Sequence, residues 1–167
     1  MKGTLLLLAS VLLLVNPAYG LEIANFKSGL LCTDGKTFGQ VCYEISDIYV
    51  TGQAECSYNK KPNRCTWYGY SFDYKGAVKS DVITCKYHTD QPGTAGNPME
   101  IFQKNTTEYS YDIKLNKGDG SYFNPQYMLL SPQKSGSPIF RINIECSWKG
   151  KKLFSTNYRI HQPLIDE

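Results

Sequence analysis

The chain has 167 residues, with 18 Lys and Arg against 15 Asp and Glu and a formal net charge of +3. So even a balance, with the basic residues scattered, excludes the concentrated basic face of a nucleic-acid binder, and no nucleic-acid partner is expected. The length suits one domain and not comfortably two.

The chain opens with MKGTLLLLASVLLLVNPAYG: Lys2 as a short basic head, an apolar run from Leu5 to Val15, then Asn16-Pro17 and the small residues Ala18 and Gly20. This is the pattern of a cleaved signal peptide over residues 1–20. An apolar run of about 11 residues is too short to cross about 30 Å of hydrocarbon, so no stable membrane insertion is expected after cleavage. The next residue is Leu21 and not a cysteine, which argues against an acylated lipoprotein. The expected product is a single secreted or periplasmic domain over 21–167.

That domain holds all six cysteines: Cys32, Cys42, Cys56, Cys65, Cys85 and Cys146. An even number behind an export signal reads as a disulfide framework. Of the possible connectivities, spacing favours Cys32 with Cys42 and Cys56 with Cys65, each closing a short loop. Cys85 would then join Cys146 as a staple between two sheets. No C-x-x-C occurs, and His88 and His161 do not stand at zinc-ligand spacing from a cysteine pair, so neither metal nor cofactor is expected.

Apolar residues recur with period two. From Thr66 to Tyr74, Tyr68, Tyr70, Phe72 and Tyr74 alternate with Trp67, Gly69, Ser71 and Asp73. From Thr107 to Leu115, Tyr109, Tyr111, Ile113 and Leu115 share a face, and from Pro138 to Cys146 so do Phe140, Ile142, Ile144 and Cys146. These are half-buried strands. Weaker candidates are 21–26, 41–50, 82–87, 122–130 and 153–160. Turns are expected at Lys75-Gly76, Gly118-Asp119-Gly120, 131–138 and Trp148 to Lys151. The basic clusters Lys60-Lys61 with Arg64, and Lys149 with Lys151-Lys152, read as solvated turns beside cysteines. About eight short strands with this punctuation predict an all-β, disulfide-braced antiparallel β-sandwich.

An immunoglobulin domain is not specifically indicated: Trp67 precedes Cys85, and Ile144 stands where a tyrosine would precede the second cysteine. Thr89 to Pro98, rich in Gly and Pro, reads as a long loop of the kind that carries recognition or merely connects.

Catalytic constellations are absent from the sequence. Neither histidine lies in a recognisable motif, and carboxylate pairs such as Asp73 with Asp81 or Glu108 with Asp112 are more simply solvent-face charges than a glycosidase pair. The functional signal is the excess of 13 tyrosines over 7 phenylalanines, rings with a polar handle that suit recognition surfaces. Tyr58, Trp67, Tyr68 and Tyr70 are the candidate binding residues. If the even-numbered face of 66–74 is core, Trp67 is its exposed counterpart; if it is the outer face, four rings form a platform. Asn105-Thr106-Thr107 is a glycosylation sequon. The expected function is a non-enzymatic binding module for a protein or glycan; the alternative is a small secreted hydrolase whose acidic or histidine site has no sequence signature.

Overall fold

The computed structural model describes residues 20–33, 39–96, 101–131 and 139–164, with backbone alone at 94–96 and 101–104. Residues 1–19 of the expected leader and most of the expected 131–138 turn lie outside the described residues.

Among the described residues, ten strands form two sheets. The first contains β1 (Glu22–Leu31), β2 (Val41–Tyr43), β4 (Ala54–Tyr58), β5 (Lys61–Ala77) and β8 (Gly118–Leu129). The long β5 is its axis: β1 and β4 pair in succession along one edge and β8 along the other. The second sheet runs in the order β3 (Asp47–Tyr49), β10 (Lys151–His161), β9 (Ile139–Trp148), β6 (Val82–Gly96), β7 (Ile101–Lys114). The architecture is the expected all-β sandwich, with ten strands where about eight were expected and with β3 parallel to β10.

Alternation sends one side of each sheet inward. Tyr68, Tyr70, Phe72 and Tyr74 of β5 meet Ile83, Tyr87, Ile142, Ile144, Tyr158 and Ile160 of the second sheet. Polar contacts also cross the interior: the Tyr158 hydroxyl donates to the Gly69 carbonyl at 2.7 Å, and the Ser28 and Thr156 hydroxyls lie 2.6 Å apart. These bonds satisfy polar groups that burial would otherwise leave without water.

All three disulfides join the pairs read from spacing: Cys32–Cys42, Cys56–Cys65 and Cys85–Cys146. The expected role of the third needs correction. Cys85 on β6 and Cys146 on β9 are registered partners within one sheet, so their bond does not join the two sheets. Alternation told correctly that both point inward; it carries no information on which sheet each belongs to.

Two expected connections are also strand. Lys75-Gly76 forms a bulge inside β5, where the Gly76 N–H donates to Asp119 at 3.0 Å, and Gly118 to Gly120 already belongs to β8. The stretch from Thr89 to Gly96 continues β6 through irregular pairing with β7, so it is not a free loop; Asn97 and Pro98 lie outside the described residues. By contrast, Asn59-Lys60 and Lys149-Gly150 form tight turns with positive φ, at 50° and 63° and at 49° and 78°. That backbone twist matches a two-residue hairpin and places the lysines in solvent.

Candidate binding face

The two outer faces of the sandwich differ in chemistry. On the second sheet, outward positions pair Lys86 with Glu145, Thr84 with Ser147, His88 with Asn143 and Arg141 with Arg159, a polar surface whose apolar members, Tyr49 and Ile139, flank His161 at one end. On the first sheet the outward row of β8 is Ser121, Phe123, Pro125, Tyr127 and Leu129, paired with Asp73, Ser71, Gly69, Trp67 and Cys65 of β5. Rings that would ordinarily be buried thus line an outer surface.

At one end Trp67 and Tyr127 pack edge to face with centroids 5.0 Å apart. Their polar ends are tied to β4: the Trp67 indole N–H donates to the Glu55 carbonyl at 3.2 Å, and the Tyr127 hydroxyl donates to the Ser57 carbonyl at 2.7 Å. Burial, and then the nearby Tyr58, push the Tyr127 hydroxyl above its ordinary pKa. Tyr58 projects from β4 on the same side, and the Cys56–Cys65 bond braces the strands beneath. A shallow cavity of about 530 Å³ beside Trp67 is lined by Thr33, Gln53, Glu55 and Arg64.

At the other end a groove of about 680 Å³ opens over β1, β5 and β8, walled by Gln40, Val41 and Phe123. Asp73 sits in it with both carboxylate oxygens engaged, one by the Asn25 amide and one by the Ser121 hydroxyl, each at 2.7 Å. These two donors, with the charge of Lys75 behind them, hold the Asp73 carboxyl below the usual carboxylate range. Asn25 occupies a left-handed conformation, φ 49°, at a bulge in β1 that turns its amide toward Asp73.

Of the four predicted binding residues, the structure places Tyr58 and Trp67 together on the outer face. Tyr68 and Tyr70 are a correction: they are 4 % and 0 % exposed, facing the second sheet. The even face of β5 is core because Tyr158 and Phe154 pack against it, which the alternation alone left open. Asn105 is exposed on β7 with φ 52°.

Sequence reading passed over Phe123, Tyr127 and the Asp73 network. One signal was available: in YFNPQYML, apolar residues occupy both alternating sets, so both faces of β8 had to meet something. It also missed Tyr43, Ile45 and Tyr49, which are 64 %, 43 % and 63 % exposed along the crossing from one sheet to the other.

Each histidine meets a carboxylate, His88 with Glu108 at 3.3 Å and His161 with Asp47 at 2.8 Å. His161 also stacks on Tyr49, with ring centroids 4.4 Å apart. Neither histidine lines either cavity described above. Among the described residues no group of three or more His, Cys, Asp or Glu is placed to hold a metal ion.

No protein-family model matches the chain, and no curated protein matches it. Among solved structures it is similar to an immunoglobulin-like protein from Pseudomonas aeruginosa, with a TM-score of 0.53 and 10 % identity, covering 87 % of this chain and 100 % of that one. The sandwich is similar to an immunoglobulin-like fold. At that identity the likeness concerns the fold alone. In this chain the Cys85–Cys146 bond links neighbouring strands of one sheet. Three disulfides and an immunoglobulin-like fold are consistent with an extracytoplasmic protein.

Proposed function

We propose that this protein is a secreted or periplasmic interaction module, without enzymatic activity, that engages a protein or glycan through the outer face of its first sheet. The observation that carries this reading is the contrast between the two outer faces. The outward side of the second sheet is charged and polar except at its β3 edge, where Tyr49 stacks on His161, whereas that of the first carries a cluster of four rings, Trp67, Tyr127, Tyr58 and Phe123. Aromatic rings with anchored polar ends lose little conformational freedom on binding and bury large area, which is why they dominate recognition surfaces.

Site-specific photocrosslinking tests it. A crosslinker at Tyr58 or at Leu129, beside the rings, should capture partner molecules from the protein's own extracytoplasmic fluid. One at Asn157, on the outer face of the second sheet, should not. Equal capture from both faces refutes the assignment.

The competing hydrolase reading draws on the His161–Asp47 and His88–Glu108 contacts. It requires His161→Ala or His88→Ala to abolish a hydrolytic activity of the purified protein, and such a result would displace the binding reading.

A further inference from the structure

We propose that the groove over Asp73 is a subsite for a neutral, linear glycan, with Phe123 as its apolar wall. The proposal rests on the reading of the first sheet's outer face as the binding face, and names the ligand class for one end of it.

The groove, at about 680 Å³, lies within the range of small-ligand sites and is concave, whereas protein docking patches tend to be flat. Its floor presents fixed polar groups. An ionised carboxylate offers about four acceptor positions, and Asn25 and Ser121 use two of them. The remaining lone pairs of Asp73, with the second N–H and the carbonyl of the Asn25 amide, match adjacent hydroxyls of a sugar ring, each both donor and acceptor. Asn25 is already turned toward Asp73 by its left-handed backbone, so little ordering is left to the moment of binding.

The apolar side is supplied from β8. Phe123 stands next to Ser121 in the outward row and pairs with Ser71 of β5, which places a ring beside the polar floor. The C–H face of a pyranose is apolar and its rim is hydroxylated, so one ring beside one carboxylate network satisfies both. At about 3.4 Å per residue, Tyr127 lies roughly 14 Å farther along β8, followed across the pair by Trp67. A row of rings at that spacing suits a chain of sugars better than a single one.

Charge narrows the class. Asp73 repels anionic sugars, Lys27, which lines the groove, pairs with Glu44 at 3.9 Å, and the charge of Lys75 is already turned toward Asp73. A charged carboxylate in a cavity also fits poorly with the core of a protein interface, where charged residues are depleted.

The test uses the mature, oxidised protein and a panel of neutral oligomers of glucose, mannose, galactose and N-acetylglucosamine, from monomer to hexamer, read by amide NMR and calorimetry. One series should shift resonances of residues 23–27, 71–73 and 121–127, with affinity rising with chain length. Phe123→Ala and Asp73→Ala should each weaken it roughly tenfold or more. Asp73→Asn, which keeps the shape and removes the charge, serves if Asp73→Ala fails to fold. Lys152→Ala, on the second sheet, should change nothing. The proposal is overturned if no oligomer shifts these resonances at millimolar concentration, or if binding survives both groove substitutions. Should crosslinks near Trp67 persist while no sugar binds, the glycan assignment falls and the binding face stands. Should the crosslinks fail while sugar binding survives both groove substitutions, both fall.

Discussion

Cys85 and Cys146 face one another as registered neighbours on adjacent antiparallel strands of one sheet, with Cα atoms 4.1 Å apart and the Tyr70 hydroxyl against both sulfurs. The bond closes a loop of 61 residues, against 10 for Cys32–Cys42. On chain entropy the longer bridge contributes about 4 kcal/mol and the shorter about 3 kcal/mol. Replacing Cys85 and Cys146 together by Ala should therefore cost more stability in denaturant titration than replacing Cys32 and Cys42. Because the bridge lies inside one sheet, the two sheets should remain packed in the folded variant, through contacts such as Tyr158 with Gly69. A larger loss from the Cys32 and Cys42 pair would contradict this.

The two faces of β5 should separate stability from binding. Tyr70 is fully buried, its hydroxyl bonded to Tyr111 and accepting from Asn124 at 2.9 Å. Tyr70→Ala should cost about 3 to 5 kcal/mol and unfold a marginal domain. Trp67→Ala and Tyr58→Ala, on the outer face, should shift the melting temperature by only a few degrees while abolishing partner capture. Thermal melts of the three variants decide the point, and Trp67→Ala as damaging as Tyr70→Ala would make Trp67 a packing residue.

Acid should weaken the protein partly through Asp81. This buried carboxylate accepts from the Val78 N–H and the Trp148 indole N–H, each at 2.9 Å, and pairs with Lys149 at 3.6 Å. The Val78 bond foremost, with Trp148 and Lys149, holds its pKa below 3.8 against the opposing effect of burial. A depressed folded pKa adds stability that is complete above the unfolded value and is lost as pH falls through the folded one. Stability should thus decline below about pH 4, and Asp81→Asn should flatten that acid limb. Asp81→Ala, which strands both N–H donors, should cost roughly 1 to 3 kcal/mol at neutral pH. An unchanged acid limb in Asp81→Asn would show that Asp81 is not responsible.

At the alkaline end the buried tyrosines act in the opposite sense. Burial pushes Tyr109 and Tyr158 up to about 12, and Tyr68, Tyr70 and Tyr87 well above their ordinary value of 10.0. A raised folded pKa gives stability that is present below the unfolded value and is lost as pH rises. Tyrosinate absorbance should therefore rise in two stages, the later one coinciding with loss of near-ultraviolet circular dichroism. A single smooth titration completed in the folded state would contradict the burial of these rings.

Much of the fold was legible locally. The period of two in Thr66 to Tyr74, Thr107 to Leu115 and Pro138 to Cys146 marks strands because successive side chains of an extended backbone point to opposite faces. Cysteine spacing led to all three bridges, since short loops close readily and only one pair then remained. What alternation cannot encode is the neighbour. β4 shows no clean alternation in AECSY, and Gly- and Pro-rich 89–96 is strand because β9, at Thr89, and β7, from Gly93, lie beside it. The inward side of β5 was settled by rings from the second sheet, which made Tyr68 and Tyr70 core and left Trp67 outside. The Asp73 groove was beyond local reading altogether, because Asn25 and Ser121 each stand 48 residues from Asp73 and meet it only through the pairing of β1 and β8 with β5. Sequence determines which residues share a face of a strand, since that is a property of a few consecutive dihedral angles. Which strands lie side by side, and therefore which polar groups and rings meet, is decided by the burial of the whole chain.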